Sequence, residues 1–536
     1  MGSESFIDPT SELESLGKPV SRLCLEKEIK LAEAAGCHPR ELAVLRQRRN
    51  QRMPASCLPQ EILYSIFLFV QGGIPTYALV IRSLLTLSNV CHLWREAALD
   101  CPGLWTLLEP LPTPLFRLIL DRSRKAPLEL VFNCSETSGQ QLSKYFSIAS
   151  PHIGRWRSCI LQHVYADTVI VPFLLSPAPQ LESLVLEIEY PVSYSSEPYL
   201  HLFASCTPRL RRLTLSGIFV PFSNPIYSNL ITLKLSSTTF TRLQSITEFC
   251  RVFGLSPLLE ELSLESLTFA PALPAPRASG VLIHFPQLHT LRLCRIRPRF
   301  SSSILSHLVL PPSAHLELRL ETGRRGNLST ILPPSVYHHF PSLQMVTHLS
   351  AHIPSSLTFE IKGSTAEGKP LFSFDIDRYG GAQPLELFSE LNGFPLVSLN
   401  SLSLVDFHEN RPQLIATVSA FLLCHPDITR LEFTGWMVPK EILVATSSPP
   451  LICPRLQYLK FARCRLYEEE LVEIVESRTA PENPALGNPG ARETSSTDAG
   501  DTFLQYLDIA DAKYSCSGIP PTLRKRVKMK EKPEWY

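Results

Sequence analysis

The 536-residue chain carries 51 Lys and Arg against 50 Asp and Glu, a formal net charge of +1, so no bulk field selects nucleic acid or a membrane surface. Its length exceeds what one hydrophobic core organises, which points to several units or an elongated array; 44% apolar residues with 47 prolines and 23 glycines exclude a disordered composition. Fourteen cysteines without a C-x-x-C pair, behind a start that lacks the cationic and apolar segments of a secretory signal, are expected to be reduced, mostly buried thiols of a cytoplasmic or nuclear protein.

Residues 20–52, with Leu25, Ile29 and Ala32 and then Leu42 and Leu45, predict one or two short amphipathic helices; Pro19 and Pro39 exclude one long coiled coil. The run "RQRRNQR" (46–52) reads as a solvated helix face, with a nuclear address or a phosphate patch as alternatives. Next comes "LPQEILYSIFLFV" (58–70). Pro59 suits a first turn, where its missing amide would be unpaired, and Glu61 complements the positive helix end. Ile62, Leu63, Ile66, Phe67 and Val70 form a broad apolar face, and Gly72 and Gly73 stop the helix. The stretch 62–85 is interrupted by Gln71, Gly72, Gly73, Pro75 and Arg82, too often to cross a bilayer. A second helix is expected to carry Leu87, Val90, Cys91, Trp94 and Ala98 on one face and to end at Cys101-Pro102-Gly103, before Leu104 and Trp105. Two helices of this kind offer more apolar surface than a single helix pair can hide, so something else should cover the excess.

The order L-P-x-E-[IL]-L, I-F, V-C-x-x-W-R and P-x-L-W resembles the F-box, over roughly Pro54 to Leu108. The matching residues are Leu58, Pro59, Glu61, Ile62, Leu63, Ile66, Phe67, Val90, Cys91, Trp94, Arg95, Pro102, Leu104 and Trp105. The resemblance implies a substrate receptor of SCF-type cullin-RING ubiquitin ligases. Its adaptor-binding residues would be Leu58, Pro59, Ile62, Leu63, Ile66, Phe67, Val90, Cys91 and Trp94, with Trp94 and Trp105 mainly holding the helices together. The segment between the two helices is longer than in the family, and His92 stands where a basic residue is more usual.

Downstream a short pattern returns: leucine, two variable positions, leucine, one variable position, leucine. It appears as "PQLESLVL" (179), "PRLRRLTL" (208), "SNLITLKL" (228), "PLLEELSL" (257), "PQLHTLRL" (286), "VSLNSLSL" (397), "PDITRLEF" (426), "PRLQYLKF" (454) and "TFLQYLDI" (502). Leu184, Leu213, Leu233, Leu262 and Leu291 step by 29, 20, 29 and 29 residues, and Leu402, Leu431 and Leu459 by 29 and 28. A period near 29 holds a strand, a turn, a return helix and another turn; alternating leucines then point inward and successive strands pair in parallel. "SITEFCRVFGLSP" (245–257) and "LIATVSAFLLCHP" (414–426) are expected return helices, and "APLELVF" (126–132) and "RWRSCIL" (155–161) the first strands. This pattern resembles the irregular leucine-rich repeats that often follow an F-box. The usual Asn or Cys after L-x-L is replaced at Ile218, Thr238, Leu267, Ile296 and Phe407, and only Cys464 fits. No repeat can be assigned in 300–395.

"GSTAEGKP" (363–370) approaches a phosphate-binding loop, but Pro370 occupies the magnesium-binding hydroxyl position and the flanks "LTFEI" and "LFSFDI" predict a hairpin. No H-E-x-x-H, G-x-S-x-G or G-x-G-x-x-G occurs. His338 and His339 lack clustered partners in sequence, and "DFHEN" (406–410) sits just past a strand, where turn chemistry competes with a binding role. Residues 477–502 read as a disordered insertion and "LRKRVKMKEK" (523–532) as a basic tail.

The expectation is an α/β chain: N-terminal helices (1–53), an F-box unit (54–108), a leucine-rich-repeat-like solenoid with a curved parallel sheet (109–476), the insertion, and a last strand with its tail (503–536). Resemblance implies a non-enzyme without cofactor or metal. Its partners would be a Skp-type adaptor with its cullin ligase and a target protein, not nucleic acid or membrane. The alternatives are a scaffold using the F-box-like unit as a cap, or an enzyme with dispersed catalytic residues in 300–395.

Overall fold

The structure, a computed structural model, describes residues 22–529 except 74–76, 137–138, 166–169, 190–201, 241–245, 270–281, 323–330, 334–335, 356–357, 379–388, 408–411, 436–439, 445–451, 480–503, 511–512 and 515–526. The chain combines an N-terminal helical region with a large, mostly parallel sheet, and divides into two compact units, 1–183 with 207–209 and 184–206 with 210–536.

In the first unit, α1 (Arg22–Ala34) and α2 (Pro39–Gln51) form a hairpin that buries Leu25 and Ile29. A short turn (Pro54–Cys57) leads to α3 (Gln60–Gly72), whose first amides, of Ile62 and Leu63, donate to the Pro59 carbonyl, and Gly73 closes the helix. The single second helix expected across 87–100 is instead two. Helix α4 (Tyr77–Ser88) fills the long connecting segment, and α5 (His92–Asp100) starts after extended Cys91. Sequence periodicity ran through this break because Leu87 and Val90 fit the phase of Trp94 although Asn89–Cys91 is non-helical. Beyond a turn at Pro102–Trp105, β1 (Leu107–Leu108), α6 (Thr113–Arg122), β2 (Leu128–Asn133), α7 (Gly139–Ala149) and β3 (Trp156–Val164) alternate. Strands β1, β2 and β3 pair in parallel, with Leu130 beside Cys159, and Phe116, Phe132, Phe146 and Trp156 pack edge to face or tilted beneath them.

The second unit is built on the leucine register. Strands β4 (Ser183–Ile188), β5 (Arg212–Ser216), β6 (Thr232–Ser236), β7 (Glu261–Glu265), β8 (Thr290–Cys294) and β9 (His315–Thr322) come first, with α8 (Ile246–Phe253) and α9 (Pro298–Leu305) as return helices. From β5 to β9 the pairing is parallel and puts Leu213, Leu233, Leu262, Leu291 and Leu316 side by side, all buried. Leu316 was hidden in the unassigned stretch because its step from Leu291 is shorter than the period.

The rest of that stretch is a meander: β10 (His348–Ser355), β11 (Thr358–Ser364) and β12 (Pro370–Arg378). Strand β12 lies parallel to β9, β11 runs antiparallel to both β12 and β10, and β10 lies parallel to β13 (Ser401–Val405). The spatial order β9-β12-β11-β10-β13 therefore reverses the chain order, which no period can encode. Parallel pairing resumes through β14 (Arg430–Thr434), β15 (Tyr458–Ala462) and β16 (Tyr506–Ala510), aligning Leu402, Leu431, Leu459 and Leu507; Lys528–Met529 adds a short strand to β16. Return helices α10 (Pro412–Cys424) and α11 (Glu468–Arg478) cover this part, α11 extending to Arg478, inside the expected insertion. Residues 480–502 of that insertion lie outside the described residues.

One backbone device recurs at the strand ends. Gly217, Ser237, Ser266, Arg295, Asp406, Gly435 and Arg463, each one residue past a strand, have positive φ, and each donates its amide to a carbonyl of the next strand. The left-handed residue turns the chain off the sheet while keeping its amide paired. After this turn the side chains of Ile218, Thr238, Leu267, Ile296, Phe407 and Cys464 are buried, so the position that regular repeats fill with Asn or Cys here extends the apolar core.

Candidate functional site

Helix α3 divides its apolar side chains in two. Leu63 (1% exposed) and Phe67 (0%) face inward, where the Phe67 ring meets Trp94 at 5.1 Å between centroids. Ile62 (46%), Ile66 (39%) and Phe69 (84%) lie along the neighbouring, outward stripe, with Leu58 and Val70 also exposed. Spacing of three and four residues stacks these side chains on one helix face.

Hydrogen bonds and a cation–π contact tie the inner side of the site together. The Trp105 indole donates to the Ala98 carbonyl at 2.8 Å, the Arg122 guanidinium lies 4.4 Å above the Trp105 ring, and Gln71 Nε2 donates to the Leu104 carbonyl at 3.1 Å. Val80, Ile81 and Leu84 of α4 are buried, while Leu79 and Leu85 are exposed. On α5, Ala97 and Ala98 are buried and Leu93 is exposed; Val90, just before the helix, is also exposed.

Residues 55–108 match the F-box-like family. The match covers about a tenth of the chain, and no curated protein matches the sequence. Within the F-box-like domain, Leu58, Pro59, Ile62, Ile66 and Val90 of the expected adaptor-binding set are exposed, and Cys91 and Trp94 are half-buried. Leu63 and Phe67 belong to the core: both are buried, and the Phe67 ring packs on Trp94. Phe69 was missed, although it lies seven residues beyond Ile62 on the same stripe.

The sheet in the second unit carries cross-strand ion pairs: Lys234 with Glu261 (2.7 Å), Arg292 with Glu317 (2.8 Å), Arg295 with Glu265, Arg319 with Asp375 (3.1 Å), and Lys460 with Glu432 (3.5 Å), whose carboxylate Arg430 of the same strand also holds at 2.7 Å. His352 lies between Asp406 (3.1 Å) and Glu360 (3.6 Å). Bonding from Lys362 holds the Glu360 carboxyl below its ordinary value against burial. At Glu432 burial pushes upward, but Arg430 and Lys460 prevail and the net direction is down. Both carboxylates are thus stabilised as anions, the opposite of what a general acid needs. Burial pushes the Cys134 and Cys294 thiols up to about 11 and those of Cys250 and Cys453 up to about 12, the reverse of an activated nucleophile.

Residues 363–370 form the β11–β12 hairpin, with Gly368 N donating to Thr365 O and Lys369 N to Thr365 Oγ1. Gly363 lacks a side chain for a packing reason: a Cβ there would collide with the Phe372 ring across the strand pair. His339 Nδ1 lies 2.8 Å from the Leu308 carbonyl, and among the described residues no three His, Cys, Asp or Glu side chains form a metal site. Of "DFHEN", Asp406 and Phe407 are strand-exit residues, and 408–410 lie outside the described residues. Among the described residues no helix is long and apolar enough to cross a membrane.

Proposed function

We propose that this chain is a non-enzymatic substrate-recognition subunit of an SCF-type E3 ubiquitin ligase, working in the cytoplasm or nucleus. The F-box-like domain docks a Skp-type adaptor through Leu58, Pro59, Ile62, Ile66, Phe69 and Val90. The second unit, read as an irregular leucine-rich-repeat solenoid, holds a target protein, and the cullin-bound machinery transfers ubiquitin to a lysine kept within reach.

The observation that carries this reading is the apolar stripe of Ile62, Ile66 and Phe69, left open on a domain that matches the F-box-like family. Exposed on the F-box-like domain, those side chains offer an apolar surface that a second chain can cover. The repeat reading is supported by the leucines that align strand after strand and by the left-handed residue at the strand exits.

Co-purification of the full chain with a Skp-type adaptor tests the proposal. Wild type should be retained, and Ile62→Asp with Ile66→Asp should not. Folded wild type that fails to bind the adaptor would overturn it.

A further inference from the structure

Four neighbouring strands of the second unit bring two tyrosines and two cations into one row. Pairing of β14, β15, β16 and the short strand Lys528–Met529 sets Arg430 beside Tyr458, Tyr458 beside Tyr506 and Tyr506 beside Lys528. Each stands one residue ahead of the aligned positions Leu431, Leu459, Leu507 and Met529; the three leucines are buried, so strand alternation turns the row to the other face of the sheet. We propose that this row is the seat of the target protein, taking an extended segment with two carboxylates four residues apart and an aromatic side chain midway between them; the inference rests on reading the second unit as the part that holds the target.

The row is ordered and open. The Arg430 guanidinium lies 4.0 Å over the Tyr458 ring, Lys528 Nζ lies 5.6 Å from the Tyr506 ring centroid, and the Tyr458 hydroxyl donates to Asp508 Oδ2 at 2.9 Å. Such contacts place the side chains before a partner arrives and reduce the entropy lost on binding. Tyr506 is 42% exposed, and Arg430 and Lys528 are exposed as well. Tyrosine and arginine are the side chains in which the affinity of protein interfaces concentrates.

Charge selects the occupant. Elsewhere on the sheet Lys234, Arg292, Arg319 and Lys362 each have a carboxylate of their own. Arg430 and Lys460 instead share that of Glu432, and Lys528 meets no carboxylate among the described residues. Arg430 reaches Glu432 through Nε, with no partner for Nη1 and Nη2 among the described residues. The row itself therefore holds two cations and no carboxylate. Glu432 and Asp508 stand two residues further along their strands, about 7 Å away, and are engaged there by Arg430 with Lys460 and by Tyr458. Strands about 4.8 Å apart give the row a span of about 14 Å, which an extended chain covers in four residues with positions i, i+2 and i+4 on one side. Carboxylates at i and i+4 then reach Arg430 and Lys528, and the side chain at i+2 lies on the two rings. A polynucleotide needs a longer track of unmatched cations than this row supplies.

Fluorescence anisotropy of the labelled peptide Gly-Glu-Ser-Phe-Ser-Glu-Gly, titrated with the full chain at low and high salt beside the same peptide with Lys in place of Glu, tests the assignment. The Glu peptide should bind about tenfold more tightly at low salt, the difference narrowing as salt rises. Arg430→Glu with Lys528→Glu should remove that preference. Tyr506→Ala should weaken the Glu peptide about fivefold, the worth of one aromatic contact, with the salt dependence kept, and Tyr506→Phe should bind as wild type does. Circular dichroism verifies folding of each variant, and each should still co-purify with the Skp-type adaptor. Equal affinity of wild type for the two peptides, or a double Glu variant that keeps the wild-type preference, overturns the assignment and leaves the adaptor reading standing. Wild type that shows the preference but retains no adaptor overturns the ligase reading and leaves the row as a peptide site. Binding of a short RNA that the double variant loses, with neither peptide bound, would give the row to nucleic acid and also overturn the inference.

Discussion

Ile62→Asp separates docking from folding. Ile62 is 46% exposed in the free chain, so its replacement leaves the core around Leu63, Phe67 and Trp94 in place and should change stability by no more than about 0.5 kcal/mol. Docking would bury the remaining half of the side chain. Full burial of isoleucine is worth about 1.5–3 kcal/mol, so the open half contributes about 1 kcal/mol. The aspartate adds a carboxylate that must lose water without a partner, a penalty of about 2 kcal/mol or more. Together these give about 3 kcal/mol, or a Kd roughly a hundredfold higher. Phe67→Ala is the contrasting variant: its ring is fully buried, and deleting it should cost about 3–5 kcal/mol of stability. Titration calorimetry against the adaptor, paired with thermal melts, reads both effects. An unchanged Kd for Ile62→Asp, or a melt lowered as far as that of Phe67→Ala, would refute the division of α3 into an outer docking stripe and an inner core stripe.

Other consequences concern the second unit. Gly435 has φ +71°, and a Cβ there would strike Asp406 Oδ1, whose carboxylate is also engaged by His352 and Arg463; Gly435→Ala should cost about 2 kcal/mol and lower the melting temperature by several degrees. Arg478 is buried and donates to the carbonyls of Leu443 (2.7 Å), Cys453 (3.1 Å) and Ile452 (2.8 Å); Arg478→Met removes all three donors, the Cys453 carbonyl alone keeping a bond, from the Leu456 amide, and should destabilise by about 2–3 kcal/mol in denaturant titration. Burial lowers the pKa of His315, His348 and His425. The unfolded chain then binds more protons than the native one as pH falls below the ordinary histidine value of about 6.5, and stability is lost there on acidification. Glu360 and Glu432, whose folded pKa values are depressed, lose their contribution at lower pH, below the ordinary carboxylate range. Melting temperature should therefore fall between pH 7 and pH 5, and His425→Phe, which keeps a ring against Phe421, should make that fall shallower; an equal slope in both proteins would disprove the role of His425.

What could be read in advance follows from locality. Leu213, Leu233, Leu262 and Leu291, and later Leu402, Leu431 and Leu459, lie in register in the sheet because each short strand must bury its own apolar stripe beside its neighbours, a requirement written into each strand's leucine spacing. The α3 stripe was legible for the same reason, since helical spacing alone collects Ile62 and Ile66. Which apolar residues of α3 face out was not, because spacing groups side chains without naming the neighbour that covers them. Only the elements packed around α3, Trp94 against Phe67 among them, decide that Leu63 and Phe67 are core and that Phe69 is open.

Tertiary structure alone also decided the reversed order β9-β12-β11-β10-β13. Strand partners far apart in sequence leave no periodic trace when a meander replaces a repeat, and the fit of Gly363 under the Phe372 ring becomes visible only once those strands are side by side. Sequence by itself thus determined the repeating strands and the apolar helix near the amino terminus, both products of short-range spacing. The fold decided which of those residues remain available to a partner, because exposure depends on every element packed around a side chain.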